Sequence, residues 1–506
     1  MPKSQLLIER GRLKEPLAQV VRELMIAPTL SEEEISRSYQ HYISINKAHV
    51  LMLAETGIIS SNVAKKILVA SEKMGDMGDT PTFPIVPELE EMYFNLENYL
   101  IQEVGIEVGG QQHTARSRND LHATVDRMET RDALLKLLEK LRIFESTLLD
   151  LAKQHKDSVF SGYTHLQPSE PITFAHYLSA ILSAISRDSR RLAQSWEDLN
   201  KNPLGGGSMG STTWPINRSR TADLLGFEGV VENSLDAVCS RDYLLEILNS
   251  MGLLANTLSR FCMDMRLWCS PEYGYLEVAD QVAVCSSIMP QKKNPWTFET
   301  VCSFCARVKA HADAAWMTYK GVPYAFTMES MDVIGSFWPA MTALESTLAL
   351  LTTTVSGLKW HQNRAREWAS NNYSTVTELT NTLVRQAHLS FREAHEIVAH
   401  AVGHTLDSGK GVSDITAGLL KKISKEVLNK TLSISAEVIS QSLNPTNIVK
   451  NKSVAGGPAM AEVTRQLSLI EDQLTKQEEW ISSRKNGLLN AKQSLEIAVS
   501  RFLTQS

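Results

Sequence analysis

Residues 118–204 contain a single glycine, Gly162, so helices on either side of it can run for many turns without the ~1 kcal/mol that an interior glycine costs. Over all 506 residues Gly and Pro number 26 and 17, together about 8.5% against an ordinary ~12%. Apolar residues then repeat at helical spacing. Leu244, Ile247, Leu248, Met251, Leu254, Leu258, Phe261, Met265 and Trp268 form one face of a helix about 25 residues long. Leu134, Leu138, Leu141, Leu148 and Ala152 form a second face, and Phe174, Tyr177, Leu178, Ile181, Leu182 and Ile185 a third. Another long pattern follows residue 295. Strand-like alternation is scarce, with residues 353–355 ambiguous. The pattern predicts an all-α chain whose middle is a bundle of very long helices.

Turn-forming residues cluster at 75–87, 105–112, 201–215, 371–374 and 454–458. These breaks divide the chain into an N-terminal helical domain at 1–112, a central long-helix bundle at 113–365 and a C-terminal helical domain at 366–506.

With 51 basic and 57 acidic residues the net charge is -6, which gives no electrostatic footprint for nucleic acid or an anionic membrane. A small anionic substrate would need local cations. Six cysteines in a chain of this length are not a disulfide framework, and reduced thiols in a cytoplasmic protein are expected. Cys302 and Cys305 form one CxxC without a second pair, so no metal is expected there. The N-terminal MPKSQLLIERGRLKEPL lacks the apolar core of a signal peptide, and the most apolar stretches fall short of the ~20 residues that span a bilayer. The GGGSMGS run lacks the order of a phosphate-binding loop and reads as a connection or site rim. His395 and His400 are five apart, which rules out a zinc-protease helix.

Three polar stretches exceed what a bundle needs. HTARSRND (113–120) places Arg116 and Arg118 beside a helix start that Asn119 or Asp120 could cap; exposed amides and guanidinium groups there would hold a carboxylate, although a charged capping turn uses the same residues. SGYTHLQPSEPI (161–172) places Thr164 and His165 in a turn before a helix starting near Thr173. In CSSIMPQKKNP (285–295), Pro290 and Pro295 oppose a continuous helix, so hydroxyl, ammonium and amide groups share a loop that could abstract a proton beside a carboxylate.

CSSIMPQKKNP closely resembles the GSSxMPxKxNP signature of the fumarase/aspartase superfamily. The other two stretches resemble that superfamily's shared regions in their argininosuccinate lyase form, as do ENSLDAVCSRDY, TADLLGF, FREAHEIV and VAGGPAMAEVTRQL. The resemblance runs from about residue 40 onward. It implies a homotetramer with a twenty-helix core, active sites each drawn from three subunits, and no metal or organic cofactor. The implied activity is a carbon–nitrogen lyase that releases fumarate from an N-succinyl substrate by β-elimination. By matching motif, Ser286 would be the general base, with Lys292, Asn294 and loop amides stabilising the aci-carboxylate. His165, oriented by Glu299, would assist protonation of the leaving nitrogen or of the substrate's other carboxylate. Arg116, Ser117, Arg118, Asn119, Thr164 and Arg241 would bind substrate.

The departures fall in regions that serve the amine half. Where argininosuccinate lyases carry EDxH, this chain has Glu90, Glu91, Met92 and Tyr93. After residues 320–323 it reads YAFTMESMD, so usual Tyr, Asn, Lys and Gln become Phe326, Thr327, Met328 and Met331. Tyr93, Phe326, Met328 and Met331 would line a more apolar amine pocket, poorly matched to a guanidinium. A lyase of the ethylenediaminedisuccinate type is therefore the alternative substrate reading, and a non-catalytic crystallin-like relative the alternative of another class.

Overall fold

The computed structural model describes residues 15–504; the start of the N-terminal segment read above, residues 1–14, lies outside them. Helices α1 (Glu32–Glu55), α2 (Ser61–Gly75) and α3 (Met92–Val104) build an N-terminal lobe. Its core of Tyr39, Ile43, Leu51, Ile67, Leu68, Leu96 and Leu100 is continuous with Leu121 and Val125 at the start of the next helix.

That helix, α4 (Arg118–Gln154), runs for 37 residues, about 55 Å at 1.5 Å per residue. It leads into a hairpin of β1 (Val159–Thr164) and β2 (Gln167–Thr173), then into α5 (Phe174–Gln194), which Thr173 caps. Helix α6 (Asp242–Trp268) follows the predicted apolar face, whose nine residues are each at most 6% exposed. Each such burial contributes on the order of 1.5–3 kcal/mol. The segment that follows contains β3 (Val284–Cys285) and β4 (Lys293–Asn294), a two-residue pair that closes the CSSIMPQKKNP loop. Helices α7 (Trp296–Tyr319) and α8 (Met328–Ser356) then pack beside α6. Residues 353–355 are helical.

A smaller lobe with α9 (Val376–Ala387), α10 (Phe391–Asp407) and α11 (Ala417–Leu428) has its own core around Leu379, Leu383, Ile397, Val398 and Leu420. The last helix, α12 (Met460–Thr504), does not join that lobe, although the expected division at residue 366 groups them. Its Val463, Leu467, Ile470 and Leu474 pack into the bundle, and its Leu495 and Val499 into the N-terminal lobe. Among the described residues no helix is long and apolar enough to cross a membrane.

The bundle helices alternate in direction, which fixes where the polar stretches lie. HTARSRND sits at the start of α4. The hairpin sits at its far end, beside the end of α6: Phe160 packs edge-on to Trp268 and Trp360, and the Tyr163 and Tyr275 hydroxyls are 2.6 Å apart. The CSSIMPQKKNP loop, between α6 and α7, shares that far end. The end of α7 returns to the first end, where the Tyr319 hydroxyl meets Cys239 and Arg241.

Candidate active site

At the start of α4 the cap is Ser117, not Asn119 or Asp120. Its Oγ accepts from the Asn119 amide at 3.3 Å, and the Asp120 carboxylate accepts from the Ser117 amide at 3.0 Å. The other Asp120 oxygen accepts from the amides of Gly205 and Gly207 at 2.8 and 3.0 Å. These glycines have φ of +90° and +62°, and a Cβ would lie 2.7 Å from Arg218 or 2.6 Å from the Ser211 carbonyl, so the loop requires glycine at both. The Gly-rich run is thus a rim bound to the first polar stretch, and Asn119 Nδ2 also donates to the Ser208 carbonyl at 3.1 Å.

Two arginines of this stretch, two residues apart, face opposite ways. Arg118 is exposed, and its Nη1 donates to Glu91 at 2.9 Å. Arg116 is 7% exposed and turns into the lobe, where it donates to Asn46 Oδ1 at 2.8 Å and lies over the Tyr93 ring. Tyr93 is itself buried and its hydroxyl meets His113 Nδ1; burial first, and Arg116 second, push the His113 imidazole down to about 4, so it stays neutral. Arg241 is 1% exposed, enclosed between the carbonyls of Val238 and Ser240 and the Asp126 carboxylate at 3.1 Å. Arg116, Tyr93 and Arg241 are thus buried within the chain, and neither guanidinium is presented at its surface.

At the far end, Thr164 and His165 are exposed at the hairpin tip. Thr164 pairs with Gln167, and both central residues of the turn, His165 and Leu166, have positive φ of 54° and 58°. A two-residue turn of this hand is ordinarily made by Asn and Gly. Held here by His and Leu, it costs on the order of 1–3 kcal/mol per residue and projects the imidazole outward.

In the third stretch the amides of Ile288 and Met289 donate to Ser286 Oγ at 3.3 and 3.1 Å. Each such bond would be worth ~1.5–3 kcal/mol to an oxygen anion, which favours the alkoxide that a serine base requires. The adjacent lysines are distinguished by their partners. Lys293 is tied to Glu277 at 2.8 Å and Asp280 at 2.6 Å, which anchors the loop. Lys292 is exposed, and its ammonium has no side-chain partner among the described residues. Lys292, Asn294 and Glu299 line one cleft of about 670 Å³ with Met263, Arg266 and Glu277.

A lyase family model matches residues 21–310, and a model described as the argininosuccinate lyase C-terminal region matches 373–450, the small lobe of α9–α11. Over 484 residues, 96% of this chain and 97% of the relative, it is 42% identical to "Argininosuccinate lyase 1" of Shouchella clausii. The chain belongs to the argininosuccinate lyase family. A Methanocaldococcus jannaschii argininosuccinate lyase is 32% identical over 97% of this chain and 99% of its own length. Among solved structures, EDDS lyase in complex with formate superposes with a TM-score of 0.86 at 30% identity, covering 93% and 92% of the two chains. As a member of this family the chain is a carbon–nitrogen lyase of the fumarase/aspartase superfamily.

Within this argininosuccinate lyase family member, the segment that departs in sequence lies at the α4-start end. Thr327 caps α8, Met328 is 62% exposed, and Phe326 and Met331 are half-buried. The exposed Tyr324 donates to Asp236, with Ser240 beside it. Sequence reasoning missed this pair, the hairpin, and the bonds made by Glu91. The Ser117 and Asp120 spacing of a capping box was the one available signal for the helix cap.

Proposed function

We propose that this chain splits argininosuccinate into arginine and fumarate, at sites shared between the subunits of a cytoplasmic homotetramer. The carrying observation is the Ser286 hydroxyl, bonded by two loop amides in the loop whose closing strands pair Val284 with Asn294 and Cys285 with Lys293. Ser286 takes the proton from the carbon next to a succinyl carboxylate. Lys292, Asn294 and loop amides stabilise the aci-carboxylate as its charge develops. The C–N bond then breaks, the electron pair leaves with nitrogen, and His165 assists its protonation while Glu299 orients the imidazole. Ser117, Arg118, Asn119 and Thr164 hold the succinyl carboxylates. Each step is assigned to a side chain or amide, so the scheme needs no metal or organic cofactor.

Helix length supports sharing between subunits. Arg118 and Asn119 lie at one end of α4, and Ser286 and His165 lie toward the other, about 55 Å along the helix axis. A succinyl group spans only a few bonds, so it touches both sets only if another copy lies antiparallel alongside. Exposed Leu253, Met263, Trp296, Trp316 and Met317 on α6 and α7 give such a copy apolar surface to cover.

Phe326, Met328 and Met331 support a second reading, in which the amine is closer to that of an ethylenediaminedisuccinate-type substrate. Steady-state kinetics separate the two. A kcat/KM for argininosuccinate of about 10⁴ M⁻¹s⁻¹ or more supports the first, whereas fumarate addition that proceeds with diamines and fails with arginine overturns it.

A further inference from the structure

Arg118 is the outward guanidinium of the first polar stretch, and it is held by a chain of side chains that begins in the core. Its Nη1 donates to one oxygen of Glu91 at 2.9 Å. The other Glu91 oxygen meets His122 Nε2 at 2.8 Å, from the α4 residue one turn beyond Arg118. His122 Nδ1 in turn meets the hydroxyl of Tyr42, on α1, at 3.2 Å. Tyr42 is 4% exposed, while exposure along the chain increases to 14% for the His122 side chain, 23% for Glu91 and 47% for Arg118.

Glu91 can only accept, and that fixes the proton that matters. Burial first, and then Glu91 and other nearby carboxylates, push the Tyr42 hydroxyl well above its ordinary value, so it remains a phenol beside Nδ1. His122 Nε2 therefore carries a proton and donates it to the Glu91 carboxylate. Burial works against the Glu91 carboxylate, but bonds from His122 and Arg118 outweigh it and hold it below its ordinary value. Glu91 is thus charged, fixed by a fixed imidazole, and bonded to one edge of a long side chain that carries ~2 kcal/mol of rotamer entropy when free. The remaining guanidinium N–H groups are left for another anion.

We propose that His122, braced by Tyr42, is a positioning residue: acting through Glu91, it holds the Arg118 guanidinium in the orientation that receives a substrate carboxylate. This rests on the reading that Arg118 binds the succinyl end. His122 touches no substrate, and the chain does not depend on the identity of the amine.

Fumarate binding measured by calorimetry on the full-length protein tests it, because fumarate carries the succinyl end alone. Arg118→Ala should weaken binding about tenfold or more, and His122→Ala and Glu91→Ala about fivefold each. His122→Gln, whose amide can donate to Glu91 and accept from Tyr42, should restore binding to within about twofold of the native protein. Tyr42→Phe keeps the packing and should weaken binding about twofold. With Arg118 already replaced by alanine, adding His122→Ala should change nothing further. Native-like binding by His122→Ala, or a full additional loss in the double variant, overturns the proposal while Arg118 keeps its role. Native-like binding by Arg118→Ala overturns the carboxylate reading and the proposal with it.

Discussion

Replacing Asp120 by alanine should damage the fold and the site together. The carboxylate is fully buried and accepts three backbone N–H groups, from Ser117, Gly205 and Gly207, at 2.8–3.0 Å. An amide left buried without an acceptor costs about 1–3 kcal/mol, so three set an upper range near 3–9 kcal/mol. Relaxation of the loop toward water returns part of this, which leaves an expected loss of about 3–5 kcal/mol. Asp120→Asn keeps one oxygen and turns a donor toward an amide, for an expected ~1–2 kcal/mol. Urea unfolding of both variants, with fumarate release measured alongside, should rank native above Asn above Ala. The KM should rise in the same order, because Asn119 and the Ser208 rim lose their shared anchor. An Ala variant within about 1 kcal/mol of native stability, or one as stable as the Asn variant, would refute the reasoning.

Ser286→Ala should lower kcat at least tenfold, a barrier increase above ~1.4 kcal/mol, while leaving the unfolding transition in place; turnover and urea denaturation check this together. At the hairpin tip, where Leu166 has φ of 58°, Leu166→Gly should be more stable than Leu166→Val by about 1–2 kcal/mol, since a β-branched residue is the least tolerant of that region; thermal unfolding reads the difference. Glu145 is buried on α4, and burial pushes its carboxyl up to about 8 while Gln477 and Arg142 pull it down. The folded state therefore holds its proton longer than the unfolded state, and stability should fall as pH rises from near 4.5 to about 8, by at most ~1.4 kcal/mol per unit. Glu145→Gln should flatten that slope, and Tm measured across this range decides it.

The long helices were legible because burial writes itself into spacing: the apolar face from Leu244 predicts a helix that the structure bounds at Asp242 and Trp268. The hairpin was not, because its turn uses His165 and Leu166 where sequence rules look for Asn-Gly, and because Pro168 and Pro171 argue against a strand. Periodicity identifies a buried face but not what it is buried against, so α12 read as part of a C-terminal domain while it packs on the bundle. Motif spacing placed Arg116 and Arg118 in one carboxylate-holding group; the inward turn of Arg116 depends on Asn46, 70 residues away. The support beneath Arg118 was invisible for the same reason, since Tyr42 and His122 are 80 residues apart.

Subunit mixing tests most directly whether the lyase site is shared. The Ser286→Ala and Asn119→Ala proteins should each be nearly inactive on argininosuccinate. If each site takes these residues from different copies, unfolding equal amounts together and refolding the mixture should produce hybrids in which about a quarter of the sites are intact, so fumarate release should return to about a quarter of the native rate. A refolded mixture that has reassembled as the native protein does, yet is as inactive as its parents, would show that Ser286 and Asn119 serve a site within one chain, and would contradict the account.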